Sequence, residues 1–162
     1  VVLLLVFVLM IVVFIRTFLY IINPRLTKLP KSGAYGNPEK ILNDVEKQIR
    51  RRILLQTKTL ILTPRYLVEL SDDNVIIPLP EVLWIYDHAA MRRTIKGRQL
   101  SYTIHVVTMK GEEYTLTGKS HREVSAIYHE LNTRYPNFFF GYSKEHQEMV
   151  QYVLYEMKNE KA

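Results

Sequence analysis

The chain has 162 residues, a formal net charge of +6 and no cysteine. Those values exclude a disulfide-stapled scaffold and any cysteine-ligated metal. They leave room, once an apolar N-terminus is set aside, for one domain able to bury its own core. The basic balance favours an anionic surface nearby, for which a bilayer headgroup layer is the obvious candidate, and nucleic acid is not expected.

Residues 1–22, VVLLLVFVLMIVVFIRTFLYII, carry no polar side chain before Arg16. As a helix rising about 1.5 Å per residue they would reach roughly 33 Å, enough to cross a hydrocarbon core of about 30 Å. A helix buried in a soluble core would keep a polar face, so a transmembrane helix is expected. A cleaved signal peptide does not fit, because the basic leader and the small-residue cleavage site are both missing. A chain that opens at Val inside an apolar run is expected to be a fragment, and a further membrane helix could precede it. Arg16, Arg25, Lys28 and Lys31 all lie at the C-terminal end of the run or beyond it. The positive-inside rule then places residues 24–162 in the cytoplasm, with Phe18 and Tyr20 in the interfacial belt. Residues 23–36, NPRLTKLPKSGAYG, read as a basic juxtamembrane linker. Its Arg25, Lys28 and Lys31 are candidate contacts to anionic headgroups.

Asn37-Pro38 supplies an N-cap and a first helical residue, and Ile41, Val45 and Ile49 form one apolar stripe. A helix over 38–50 follows, closed by Arg50-Arg51-Arg52. From there the period falls to two. One strand is expected over Leu54–Leu62, a turn at Thr63-Pro64-Arg65, a strand through Tyr66–Leu70 and a turn at 71–74. Val75-Ile76-Ile77 reads as a short edge strand stopped by Pro78 and Pro80. Val82–Asp87 is the next strand and holds the only tryptophan. Residues 91–99, MRRTIKGRQ, read as a basic loop around Gly97. Leu100–Met109 alternates again, and Lys110-Gly111 signals a hairpin into Glu113–Thr117. Ser120-x-x-Glu123 is a capping box opening a helix striped by Val124, Ile127, Tyr128 and Leu131 and ended by Pro136. Ser143 caps a last helix with Met149, Val150, Val153, Leu154 and Met157 on one face. The fold class is α+β: a transmembrane helix, then antiparallel strands in a small barrel or orthogonal sheets, a closing helix and an extra C-terminal helix.

Little in the chain carries chemistry. His88, His105, His121, His129 and His146 fall singly in different elements and show no metal-ligand spacing. Asp87-His88 cannot act as a dyad, because adjacent strand residues face opposite ways. No nucleophile elbow or phosphate-cradling loop occurs, and Asp72-Asp73 and Glu112-Glu113 fall in expected turns. No catalytic residue, cofactor or metal is assigned, and an enzyme is not expected. Two surfaces remain as candidates. Arg92, Arg93, Lys96 and Arg98 gather around Gly97 and could meet headgroup phosphates or an acidic partner. Phe138, Phe139, Phe140 and Tyr142 could dock a partner protein.

Local phrases carry a family resemblance. Leu60-Ile61-Leu62-Thr63-Pro64-Arg65-Tyr66-Leu67 resembles the first hairpin of bacterial pleckstrin-homology-like (PH-like) domains. Ile77-Pro78-Leu79-Pro80-Glu81-Val82-Leu83-Trp84-Ile85-Tyr86 is similar to a strand-entry segment of the same domains. Thr108–Tyr114 resembles their late hairpin, and Tyr135-Pro136 with Phe140-Gly141-Tyr142 resembles the exit from their closing helix. The likeness covers about residues 38–142 and is similar to small bacterial membrane proteins with such a domain after membrane helices. It implies a PH-like domain over 37–142 and a separate helix and tail over 143–162. The loop that cradles lipid headgroups in eukaryotic relatives is here Thr63-Pro64-Arg65, short and singly charged, while the cations gather in 92–98. The expected function is therefore a non-enzymatic scaffold or accessory subunit at the bacterial inner membrane, partnered by the bilayer and by another protein or its own copies. The alternative is an anionic-lipid sensor acting through the linker and residues 92–98.

Overall fold

The computed structural model describes residues 37–70, 75–95 and 97–160. The expected transmembrane helix, the linker, the turn at 71–74 and Lys96 lie outside them. No helix among the described residues is long and apolar enough to cross a membrane.

Helix α1 spans Pro38–Arg51, and the Asn37 side chain accepts from the Glu39 N–H as an N-cap. Four short strands follow: β1 Leu55–Gln56, β2 Leu60–Leu62, β3 Tyr66–Glu69 and β4 Ile76–Pro78. They form one antiparallel sheet in chain order, with β4 at its edge as Pro78 requires. A single 3₁₀ turn, Leu79–Glu81, leads into the second sheet. There β5 Val82–Thr94 and β6 Gly97–Thr108 make a long hairpin, and β7 Glu113–Lys119 pairs with β6. Helix α2 spans His121–Arg134, β8 is Phe139–Phe140, and helix α3 is Lys144–Asn159. Strand β8 adds in parallel to Trp84–Ile85, which gives the sheet order β7-β6-β5-β8.

The described residues therefore make a mixed α+β fold of two four-stranded sheets and three helices, and among them the strands form no closed barrel. Its packing explains why so many strand residues are buried on both faces. The main core lies between the sheets and under α2, built from residues such as Leu62, Leu67, Ile85, Ile104, Leu116 and Ile127. Helix α1 covers the other face of the first sheet by packing Ile41 and Val45 on Ile61, Tyr66, Val68 and Ile76. Helix α3 covers part of the other face of the second sheet, setting Val150 on Leu83, Trp84 and Val107. Each helix thus removes an apolar sheet face from water, worth about 1.5–3 kcal/mol for each large side chain fully buried.

Two expectations are corrected. The strand expected over Leu54–Leu62 is a tight hairpin, because the chain reverses at Thr57–Thr59 and Leu55 faces Leu62. The Thr57 N–H donates to the Leu60 carbonyl, and the Thr59 N–H to the Thr57 hydroxyl, so threonines make the turn without glycine or proline. The basic loop expected over 91–99 is instead the far end of the β5–β6 hairpin. Met91 pairs with Leu100, Arg92 with Gln99, Arg93 with Arg98 and Thr94 with Gly97. Ile95 begins the turn, and Gly97, at φ 112°, takes the backbone conformation that a side chain would oppose.

Candidate functional site

The end of the β5–β6 hairpin extends beyond its neighbours. Strand β7 pairs with β6 only as far as Tyr102, and β8 covers only Trp84 and Ile85 of β5. Beyond Ala89 and Tyr102 the two strands therefore form an unsupported ribbon. Met91, Arg92, Arg93, Arg98 and Leu100 are all exposed on it, and Ile95 at the tip is wholly so. Strand alternation puts Met91, Arg93, Arg98 and Leu100 on the face that continues the core side of the sheet, and Arg92 on the other. Arg93 and Arg98 stand directly opposite one another, a like-charge pairing that weakens a strand pair. No described carboxylate forms an ion pair with Arg92, Arg93 or Arg98. The structure thus brings three of the four cations of this expected group onto one arm. Arg25, Lys28 and Lys31 lie outside the described residues, as does Lys96.

The aromatic run divides between two cores. Phe138 and Phe140 pack against the main core, with Tyr135 stacked on Phe138 at 4.8 Å and Tyr128 set edge-on to Phe140 at 5.8 Å. Phe139 points to the opposite side and joins Trp84 beneath α3. Its ring lies 5.5 Å from that of His146. All three phenylalanines are half-buried and committed to packing, and of this group only Tyr142 is exposed. Its ring stacks 5.9 Å from Trp84, whose indole N–H donates to the Gly141 carbonyl at 2.8 Å.

Beside Tyr142 lies a cluster missed in the sequence. Tyr86 stacks flat on His105 with ring centres 4.6 Å apart, and both reach Glu113. The Tyr86 hydroxyl donates to Glu113 Oε1 at 2.9 Å, while His105 Nδ1 lies 2.7 Å from the same oxygen. Burial, and then the adjoining carboxylate, push the Tyr86 phenol up to about 12. The Lys110-Gly111 hairpin signal held the information, since it sets the β6–β7 register that places Glu113 diagonally across from His105. Asp87 and His88 do face opposite ways: Asp87 accepts from the Tyr128 hydroxyl at 2.8 Å, while His88 is exposed.

A second missed group is interior. Lys119 Nζ lies 2.8 Å from each carboxylate oxygen of Glu69 and 2.7 Å from the Thr59 hydroxyl. Burial raises the Glu69 carboxyl, and the bond and charge of Lys119 pull against it. Beside it, Ser120 and Glu123 close the expected capping box. Burial alone would raise Glu123, but hydrogen bonds from Ser120 outweigh it and hold the carboxyl below the usual range.

Among the described residues no group of three or more histidines and carboxylates is placed to hold a metal ion. Two open depressions are present. One of about 310 Å³ is lined by Tyr128, His129, Asn132 and Phe140, and one of about 180 Å³ by Ile41, Arg65, Tyr66, Pro78, Pro80 and Glu81. Several of their polar groups already have partners. Tyr128 is held by Asp87, while Tyr66 donates to Asp44 at 2.7 Å and Arg65 pairs with the same Asp44 oxygen at 3.6 Å.

Fold and surface together define a small two-sheet α+β domain with one buried ion pair, Lys119–Glu69, and an exposed basic arm. The chain belongs to the family described as a domain of unknown function, DUF6709, whose model matches residues 54–150. That match begins after α1 and ends at Val150, within α3. No curated protein and no solved structure matches the chain.

Proposed function

We propose that this chain is a non-enzymatic docking module, tethered to the bacterial inner membrane by residues 1–22 with its folded domain on the cytoplasmic side. A PH-like reading of the domain is supported by the order of its parts: two sheets in series, then a helix packed into the space between them. The observation that carries the docking role is the arm, where three arginines and three apolar side chains project from the body instead of lining a cleft. The scaffold or accessory-subunit form of this reading is supported by α3, where Met149, Tyr152 and Tyr155 are exposed.

Carbonate washing of membranes that carry the full chain tests the tether, and gentle detergent purification tests the docking. The chain is expected to stay with the membrane and then to elute with a second species, protein or lipid, in fixed proportion. Release by carbonate would remove the tether from this reading. Turnover of a small substrate by the clean protein would remove its non-enzymatic character.

The alternative, contact with an anionic lipid surface, is favoured by Arg93 standing opposite Arg98 with no described carboxylate between them.

A further inference from the structure

We infer that the arm formed by residues 90–95 and 97–100 is a lipid-headgroup clamp, in which Arg92, Arg93 and Arg98 hold anionic phosphates while Ile95 enters the interfacial layer. This rests on the tethered-module reading and adds to it the ligand class and the residues that meet it.

Four observations converge. First, Arg93 and Arg98 face each other across a ribbon that no third strand supports, so their repulsion goes uncompensated within the described structure. A phosphate between or beside them would relieve it, since guanidinium forks bind phosphate oxygens with two parallel hydrogen bonds. Second, an apolar side chain is where insertion needs it. Ile95 is wholly exposed at the tip, beyond Arg93 and Arg98, while Met91 and Leu100 pair on the body side of those arginines. An exposed isoleucine with a collar of arginines matches the layering of a membrane interface, apolar below and phosphate above. Third, the ribbon's outer edges are unpaired, which invites strand addition by a second copy. Its arginines oppose that, because charged side chains are a standard protection of free edges. Charge thus favours an anionic occupant over a like-charged copy. Fourth, in the tethered reading the fourteen residues 23–36 allow a separation of at most about 50 Å between residues 1–22 and the domain, and such a tether supplies the local concentration that makes modest contacts sufficient.

The absence of cysteine permits a single-site probe. The full chain carrying Ile95→Cys is labelled with an environment-sensitive nitrobenzoxadiazole dye. It is then reconstituted into liposomes of phosphatidylcholine alone or mixed with phosphatidylglycerol. The expected result is a blue shift and a several-fold rise in emission only in the anionic liposomes. High salt and the pair Arg93→Gln with Arg98→Gln should each reverse it, because the contact is charge-driven. The same dye at Tyr155→Cys, on α3, should not respond. Equal emission in the two lipids, or a response indifferent to the arginine pair, overturns the clamp. A rise with a duplex DNA oligonucleotide in detergent but none with anionic lipid overturns it in favour of nucleic acid. Flotation with phosphatidylcholine liposomes reports the tether separately. Should the chain fail to float, the tether falls and the dye still reads whether added anionic vesicles capture the arm.

Discussion

Lys119 and Glu69, fifty residues apart in sequence, share a buried ion pair that ties β7, an edge strand of the second sheet, to β3, the third strand of the first. Their side chains are 0% and 4% exposed. Where the two sheets are not hydrogen-bonded into a barrel, this pair and Thr59 bridge them through side chains. A buried ion pair is weak support for stability in itself, yet removing one partner is costly because it strands the other charge.

Lys119→Met is therefore expected to destabilise the protein by about 3–5 kcal/mol, and adding Glu69→Leu should restore most of the loss. Thermal or urea denaturation of the full chain in detergent checks both. The deficit of Lys119→Met should depend on pH in a defined sense. Burial raises Glu69 when folded, and without Lys119 nothing opposes that shift. The folded state then holds the proton more tightly than the unfolded chain does. Stability is fully present below the ordinary carboxylate range and is lost as pH rises through the raised folded value. A deficit that grew on acidification would contradict this account.

Burial raises four phenols, Tyr66, Tyr86, Tyr128 and Tyr135, and the first two serve to test the alkaline behaviour. Tyr66 is pushed up to about 12 by burial, then by its hydrogen bond to Asp44, and Tyr86 reaches about 12 by burial and its bond to Glu113. Both folded values exceed the usual 10, so the stability they carry is complete below pH 10 and is lost as pH rises toward about 12. Ultraviolet titration of phenolate absorbance should show Tyr66 and Tyr86 ionising late, together with unfolding. Tyr66→Phe should remove one late step and cost on the order of 1 kcal/mol at neutral pH.

The Ser120 cap is a local test. Its hydroxyl accepts from the Glu123 N–H, and the Glu123 carboxylate accepts from the Ser120 N–H. Ser120→Ala should cost about 0.5–2 kcal/mol in chemical denaturation. Glu123 is held low when folded, so its contribution is present above the ordinary carboxylate range and is lost as pH falls through the folded value. The cost of Ser120→Ala should accordingly shrink in acid.

Caps were legible in the sequence because each is written within four residues: Asn37, Ser120 and Ser143 all cap as their spacing implied. The α2 stripe was legible for the same reason, with Val124, Ile127 and Leu131 buried as a set, whereas Met149, expected on the α3 stripe, is exposed. The arm was hidden by its composition. Arginine, lysine and glycine suggest a loop, and only the continuing register with residues 97–100 makes them a ribbon. The turn at Thr57–Thr59 was hidden because threonine favours strands, and here its hydroxyl makes the reversal. Lys119–Glu69 was out of reach, since no local pattern shows that two charges on different sheets end in one interior. In the candidate site the arginines were legible as a group, whereas the Tyr86–His105–Glu113 cluster needed the β6–β7 register.

The last prediction concerns the C-terminal helix. Trp84 is the only tryptophan, 5% exposed, and it lies in a satellite core with Leu83, Val107 and Val150, flanked by Val153 and Leu154. Its emission therefore reports whether α3 is docked. Val150→Ala should leave the main core between the sheets intact, because Val150 takes no part in it. The loss, about 1–2 kcal/mol from transferred apolar surface and incomplete collapse around the gap, should fall on the attachment of α3. Val150→Asp should go further, placing a charge where no described partner meets it and releasing the helix. Native-state hydrogen exchange would then show α3 amides opening at lower free energy than those of β6, with Trp84 emission moving to the red. Equal loss of protection in α3 and β6 would mean that helix and sheets unfold as one unit, and that the satellite core has no independent existence.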